Sequence, residues 1–65
     1  MRLDVLKLRT TMIKSDVKQK ELAIKTGLSY SMINAICNGR ACAEDTGTKI
    51  AEALGVKVDE LRERG

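Results

Sequence analysis

The chain has no histidine, proline, tryptophan or phenylalanine, and a single tyrosine. Without histidine it has no ordinary general base near neutral pH and no imidazole ligand, so hydrolytic and zinc-centred chemistry lack their usual parts. The two cysteines, Cys37 and Cys42, are not spaced as C-x-x-C. A secreted miniprotein stapled by disulfides usually carries about four or more, so both read as reduced thiols, Cys37 in the core and Cys42 in a loop, rather than as a redox pair. No run approaches the roughly 18 apolar residues of a membrane span. Met1-Arg2-Leu3-Asp4 lacks the apolar segment of a signal peptide. A cytoplasmic chain with no membrane partner is expected. Linkers, low-complexity runs and internal repeats are also missing, which excludes a solenoid.

What is present suits one small domain over 1–65. Sixty-five residues enclose a single core near the lower limit for folding without staples. With 43% hydrophobic and 32% charged residues there is enough apolar side chain to offset ordering entropy. The net charge of +3 is unevenly spread: residues 1–32 carry +4 and residues 33–65 carry −1. A basic half suits a polyanion such as nucleic acid, and it suits a plain solvated surface equally well, so charge alone does not choose.

The apolar period is helical throughout. Leu3 to Lys14 sets Val5, Leu8 and Met12 on a stripe with Leu6 and Ile13 beside them, predicting helix one. Lys18 to Thr26 carries Leu22 and Ala23 and stops at Gly27, where a left-handed residue closes a helix. Ser29 can cap a third helix whose inner face is Ile33, Ile36 and Cys37 and whose end is Asn38-Gly39. Glu44 to Leu54 predicts helix four, with Thr46, Ile50, Ala53 and Leu54 inward and Gly47 weakening it. Val58 to Arg64 predicts a short fifth helix, with Val56, Val58 and Leu61 closing the core. The fold class is all-α: five helices and no strand.

The informative unit runs Gln19-Lys-Glu-Leu-Ala23-Ile-Lys-Thr-Gly27-Leu-Ser29-Tyr-Ser-Met-Ile33-Asn-Ala-Ile36-Cys-Asn38-Gly39. Ala23 is small enough for helix three to cross helix two closely, and Gly27 permits the reversal. Leu22, Leu28, Ile33 and Ile36 fill the angle between them. Tyr30, Ser31, Asn34 and Ala35 then face outward. These residues resemble the lambda-repressor-like (Cro/Xre) helix-turn-helix family, whose hallmark is Gln-x-x-Leu-Ala-x-x-x-Gly, then Ile, then Asn-Gly-Arg/Lys. Lys49-Ile-Ala-Glu-Ala-Leu-Gly-Val56 and Asp59-Glu-Leu61 resemble its fourth and fifth helices, so the likeness spans nearly the whole chain.

The resemblance implies a compact five-helix domain with its helix-turn-helix at about 18–38, binding double-stranded DNA. It assigns base reading to Tyr30, Ser31 and Asn34, and to Ala35 through a methyl contact to thymine. Gln19 is assigned to the backbone or an adjacent base, and Asn38 and Arg40 to phosphates. Ser29 and the amides opening helix three offer a neutral anion contact. Lys18, Lys20 and Lys25 are candidates for approaching phosphate or for lying solvated. Tyr30 can alternatively rest its ring on the surface. Asn34, a middling helix former, shows no obvious internal partner, so a base contact, bidentate to adenine in the fullest case, stands level with a plain helix position.

Departures from the family pattern also matter. Lys18 and Lys57 stand where capping residues are usual, so helices two and five are expected to fray. Glu44 and Asp45 stand before helix four, where they would repel phosphate. The implied function is a regulator, most simply a repressor, gripping a palindromic operator as a homodimer formed in solution or only on DNA. The dimer contact is expected near helix five or the loop before helix four. No cofactor, metal, small-molecule substrate or catalysis is expected. The rival is a protein-interaction module of the same fold: an antitoxin, adaptor or antirepressor.

Overall fold

The computed structural model describes residues 1–63, and its elements are α1 (Val5–Ser15), α2 (Gln19–Thr26), α3 (Tyr30–Cys37), α4 (Glu44–Ala53) and α5 (Val58–Leu61). Among the described residues there is no strand, and one antiparallel bridge joins Leu3 to Arg62. Helices α1 to α3 carry local start or stop signals. Asp4 Oδ1 accepts from Lys7 N at 3.0 Å and opens α1. Asp16 closes it in the left-handed conformation at φ 55°. Gly27, at φ 75°, ends α2 with its N–H donating to Ala23 O. Ser29 Oγ accepts from Met32 N at 3.1 Å and starts α3.

The core is continuous from Leu3 and Leu8 through Leu22, Ile33 and Ile50 to Leu61. Each of these is buried, and each contributes about 1.5–3 kcal/mol by leaving water. Helix α3 packs on α2 and α1, while α4 packs on α2 and α5 and α1 closes on α5. Ala23 is buried where α2 carries α3, as its size predicts.

The predicted inner faces need three corrections. Leu6 and Ile13, placed on the stripe of helix one, are 76% and 79% exposed. At 100° per residue, Leu8 and Met12 fix the inward direction, and Leu6 then points almost opposite while Ile13 turns off the core edge. Leu3, expected to begin that helix, lies before it and is buried in extended pairing: Asp4 N donates to Leu61 O at 2.7 Å and Glu63 N to Arg2 O at 3.0 Å. On α4 the buried residues are Gly47, Ile50 and Ala51, followed by Leu54, with Thr46 and Ala53 only half-buried. Gly47 is buried there beside Met1: a Cβ would stand 2.6 Å from Met1 Sδ, so the flexible Met1 side chain would have to move aside for one.

Helix α5 ends at Leu61, short of the predicted Arg64: Arg62 turns extended, at φ −65° and ψ 135°, to pair with Leu3, and Arg64 itself falls outside the described residues. Lys18 makes no side-chain cap to α2, as expected. Fraying of α5 is opposed, however, because Glu60 Oε2 accepts from Lys57 N at 2.8 Å.

Candidate nucleic-acid interface

Burial of Ile33, Ile36 and Cys37 turns one side of α3 into the core and leaves the other facing out. Tyr30 and Ser31 occupy its first turn, both exposed, and Asn34 follows one turn later, also exposed. Ala35 is half-buried and presents only part of its methyl. Met32, which sequence reasoning did not single out, is 41% exposed on the same helix. It lines a hollow with Arg40 and the 41–43 segment. A methionine inside an apolar period reads as core, so nothing in the sequence marked it.

Gln19 opens α2 half-buried and edges a hollow between α1 and α2 shared with Arg9, Met12, Ile13, Asp16 and Val17. Lys18 and Lys20 are exposed beside it. Lys25 stands apart, at the far end of α2, in a hollow with Lys49, Glu52 and Ala53 of α4. Ser29 Oγ is already accepting from Met32 N, so the amides of Tyr30 and Ser31 are the ones left at the helix start. Arg40 follows α3 with its side chain exposed and its N–H bound to Ala35 O at 3.0 Å.

Asn34 does have an internal partner. Asn38 Nδ2 donates both to Asn34 O and to Asn34 Oδ1, each at 2.9 Å. Arg9 completes the group: its Nη2 donates to Asn38 Oδ1 at 2.9 Å and its Nε to Cys37 O at 3.3 Å. The guanidinium thus sits at the carbonyl end of α3, where the helix dipole favours a cation. Sequence reasoning missed Arg9, since its partners lie 28 and 29 residues away. The acidic pair expected before helix four instead forms the first turn of α4, and its charge is less bare than expected, because Glu44 Oε2 lies 3.4 Å from Arg62 Nη2. Asp45 remains exposed.

Cys37 is buried and Cys42 half-buried, and both are free thiols. Burial raises the Cys37 thiol above its ordinary range, with Arg9 drawing it back. Burial raises Cys42 as well, while the terminal ammonium lowers it and Glu44 raises it. Neither has the lowered pKa of a reactive thiolate. Among the described residues no cluster of metal-ligating side chains occurs, and no helix is long and apolar enough to cross a membrane. Among the described residues the large exposed apolar side chains are Leu6, Ile13, Ile24, Tyr30 and Met32; Leu6 borders a hollow with Val56, Asp59 and Glu60 at α5, and Met32 borders one with the 41–43 segment before α4, the two regions named for a dimer contact.

Two short helices crossing at a glycine turn, the second with a polar outer face and lysines on the first, define a helix-turn-helix module. A family model described as Helix-turn-helix matches residues 8–61, and the chain belongs to that family, in its Cro/C1-type branch, as the sequence resemblance implied. DNA binding in regulation is the general function that membership supports. Among solved structures, a hydroxyethylphosphonate dioxygenase mutant matches with a TM-score of 0.86 at 25% identity, over 100% of this chain and 14% of that one. Native PhpD with cadmium atoms matches at 0.83 and 25%, with the same coverage. Streptomyces albus HEPD, with 2-hydroxyethylphosphonate and Fe(II) bound, matches at 0.79 and 32%, over 86% of this chain and 13% of that one. The chain therefore spans about one seventh of the solved chains it resembles. A search of curated proteins finds no match.

Proposed function

We propose that the chain is a sequence-specific transcriptional regulator, a repressor that sets α3 into the major groove of a palindromic operator and acts as a homodimer. The observation carrying this reading is the outer face of α3, where Tyr30, Ser31 and Asn34 are exposed together on a helix fixed from behind by Ile33 and Ile36. Tyr30, Ser31, Asn34 and Ala35 read base edges. Gln19, Lys18, Lys20, Ser29 and Arg40 hold the backbone and set the register, with Lys25 a more distant phosphate contact. One such domain covers little surface and binds weakly, so two copies on half-sites about 34 Å apart supply the affinity. The chain performs no catalysis in this reading.

A second reading has one observation in its favour. The same fold forms part of a much longer chain named as a dioxygenase, so the fold does not by itself require DNA. Selection of bound sequences from random duplexes at two salt concentrations separates the two. A regulator enriches a palindrome and loses about 0.9 log units of affinity per log unit of salt for each phosphate it neutralises. Tyr30→Ala should change the preferred bases, while Gln19→Ala and Arg40→Ala should weaken binding across all sequences. Negligible binding at low salt with no enrichment would replace the regulator with the interaction module.

A further inference from the structure

Asparagine amides are two-faced: one side accepts, the other donates, and left alone either side can turn toward a neighbour. Arginine has no such freedom, because all of its nitrogens donate. Arg9 Nη2 therefore obliges Asn38 to present Oδ1 to it, at 2.9 Å. With its oxygen committed, Asn38 has only Nδ2 to offer α3, and Nδ2 meets two acceptors, Asn34 O and Asn34 Oδ1. That in turn commits the Asn34 oxygen inward. Among the described residues, Asn34 Nδ2 has no partner and is left on the free side of a planar amide, on an exposed turn of α3.

We propose that Arg9 is a positioning residue for base readout, acting through Asn38 to turn Asn34 so that it shows a groove a hydrogen-bond donor. The inference rests on the reading of α3 as the groove-facing helix. Its second contact, Nε to Cys37 O, holds the guanidinium against the end of α3, so the relay is anchored at both of its donors. An outward donor selects base edges with acceptors: N7 of a purine, O6 of guanine or O4 of thymine. An outward oxygen would select the amino groups of adenine or cytosine instead. The bidentate adenine contact expected from the sequence would need the Asn34 oxygen as an acceptor, and that oxygen already serves Asn38. An amide oxygen can accept a second bond, but the relay turns this one toward Asn38 and leaves Nδ2 on the open side, so the donor is what it presents to the base.

The test is selection of bound duplexes with the wild-type chain, Arg9→Met, Arg9→Lys and Asn38→Asp, paired with side-chain amide spectra of the free proteins. Wild type should restrict one position per half-site to acceptor-bearing edges. Arg9→Met should weaken that restriction roughly tenfold while the positions set by Tyr30 and Ser31 keep theirs, and Arg9→Lys, which can still donate to Asn38, should restore part of it. Asn38→Asp keeps an acceptor for Arg9 but offers Asn34 a second acceptor, which turns the Asn34 amide around. Preference at that one position should swing to adenine or cytosine, a change that simple loss of stability cannot produce. In the spectra, the Asn34 and Asn38 amide signals should move together in Arg9→Met. A wild-type motif reproduced at every position by Arg9→Met and by Asn38→Asp would overturn the relay and leave the regulator standing. If Arg9→Met fails to fold, Asn38→Asp decides alone. No motif from the wild type would overturn the regulator itself, and the specificity role of Arg9 with it.

Discussion

Helices α3 and α4 begin in the same way geometrically and are held in different ways. Ser29 and Ala43 both precede their helices in extended conformation, at ψ 150° and 157°. Ser29 caps α3 from three residues away, whereas Ala43 has no side chain that can cap α4. The start of α4 is secured from the other end of the chain. Met1 O accepts from Cys42 N at 2.7 Å, the Met1 ammonium donates to Cys42 O at 2.7 Å, and the Met1 side chain lies against Gly47. The helix proposed to read DNA is thus defined locally, and the helix that supports it depends on contact across 41 residues.

Removing core volume from each helix should break this contrast. Ile33 and Ile50 are both fully buried, one on each. Truncating either to alanine should cost about 2–5 kcal/mol. A domain of this length holds only about 3–10 kcal/mol in total, so either variant should lose most of its stability. Because α2 contacts both helices, the loss should be shared: urea melts of Ile33→Ala and Ile50→Ala should each be a single transition. If α3 kept its amide protection in Ile50→Ala after α4 had melted, the two helices would be separate folding units and α3 would not need its support.

The caps sharpen the contrast with smaller effects of opposite sign. Ser29→Ala leaves the Met32 amide without its acceptor and should cost about 1 kcal/mol, or about 4–8 °C in melting temperature. Ala43→Ser supplies the missing acceptor where the backbone is already extended, and should gain a similar amount. Calorimetry on the pair checks both signs. No gain from Ala43→Ser would mean that the Met1 contacts already fix the start of α4 and leave nothing for a cap to add.

The same distinction explains which parts of the molecule were legible in the sequence. Ser29, Gly27 and the Ile33–Ile36–Cys37 period act over three or four residues, so α3, its boundaries and its exposed face follow from local rules. Arg9 and Met1 act across the fold. An arginine on the polar side of an amphipathic helix has no local sign that it will meet Asn38, and a single bridge at Leu3 has no period to reveal it. The misplacement of Leu6 and Ile13 has another cause: apolar residue type suggested burial, but helix geometry allowed only the Leu8–Met12 direction to face the core.

The two thiols report the contrast most gently, one from each region. Cys37 lies within α3, 1% exposed, with Sγ 3.9 Å from Met12 Sδ. Cys42 is half-buried beside Met1. Alkylation near neutral pH should label Cys42 first, by local opening of the Met1 contact, and reach Cys37 only through global unfolding. Equal labelling rates would remove the distinction between a locally fixed α3 and a remotely fixed α4. Both thiols are raised by burial, so the folded chain keeps protons that the unfolded chain gives up. Their contribution is therefore fully present below the ordinary thiol value of about 8.5 and declines as pH rises through it toward the raised folded values. Urea midpoints measured across that window should fall with pH, and less steeply in Cys42→Ser; an unchanged slope would mean that Cys42 meets as much water in the folded chain as in the unfolded one.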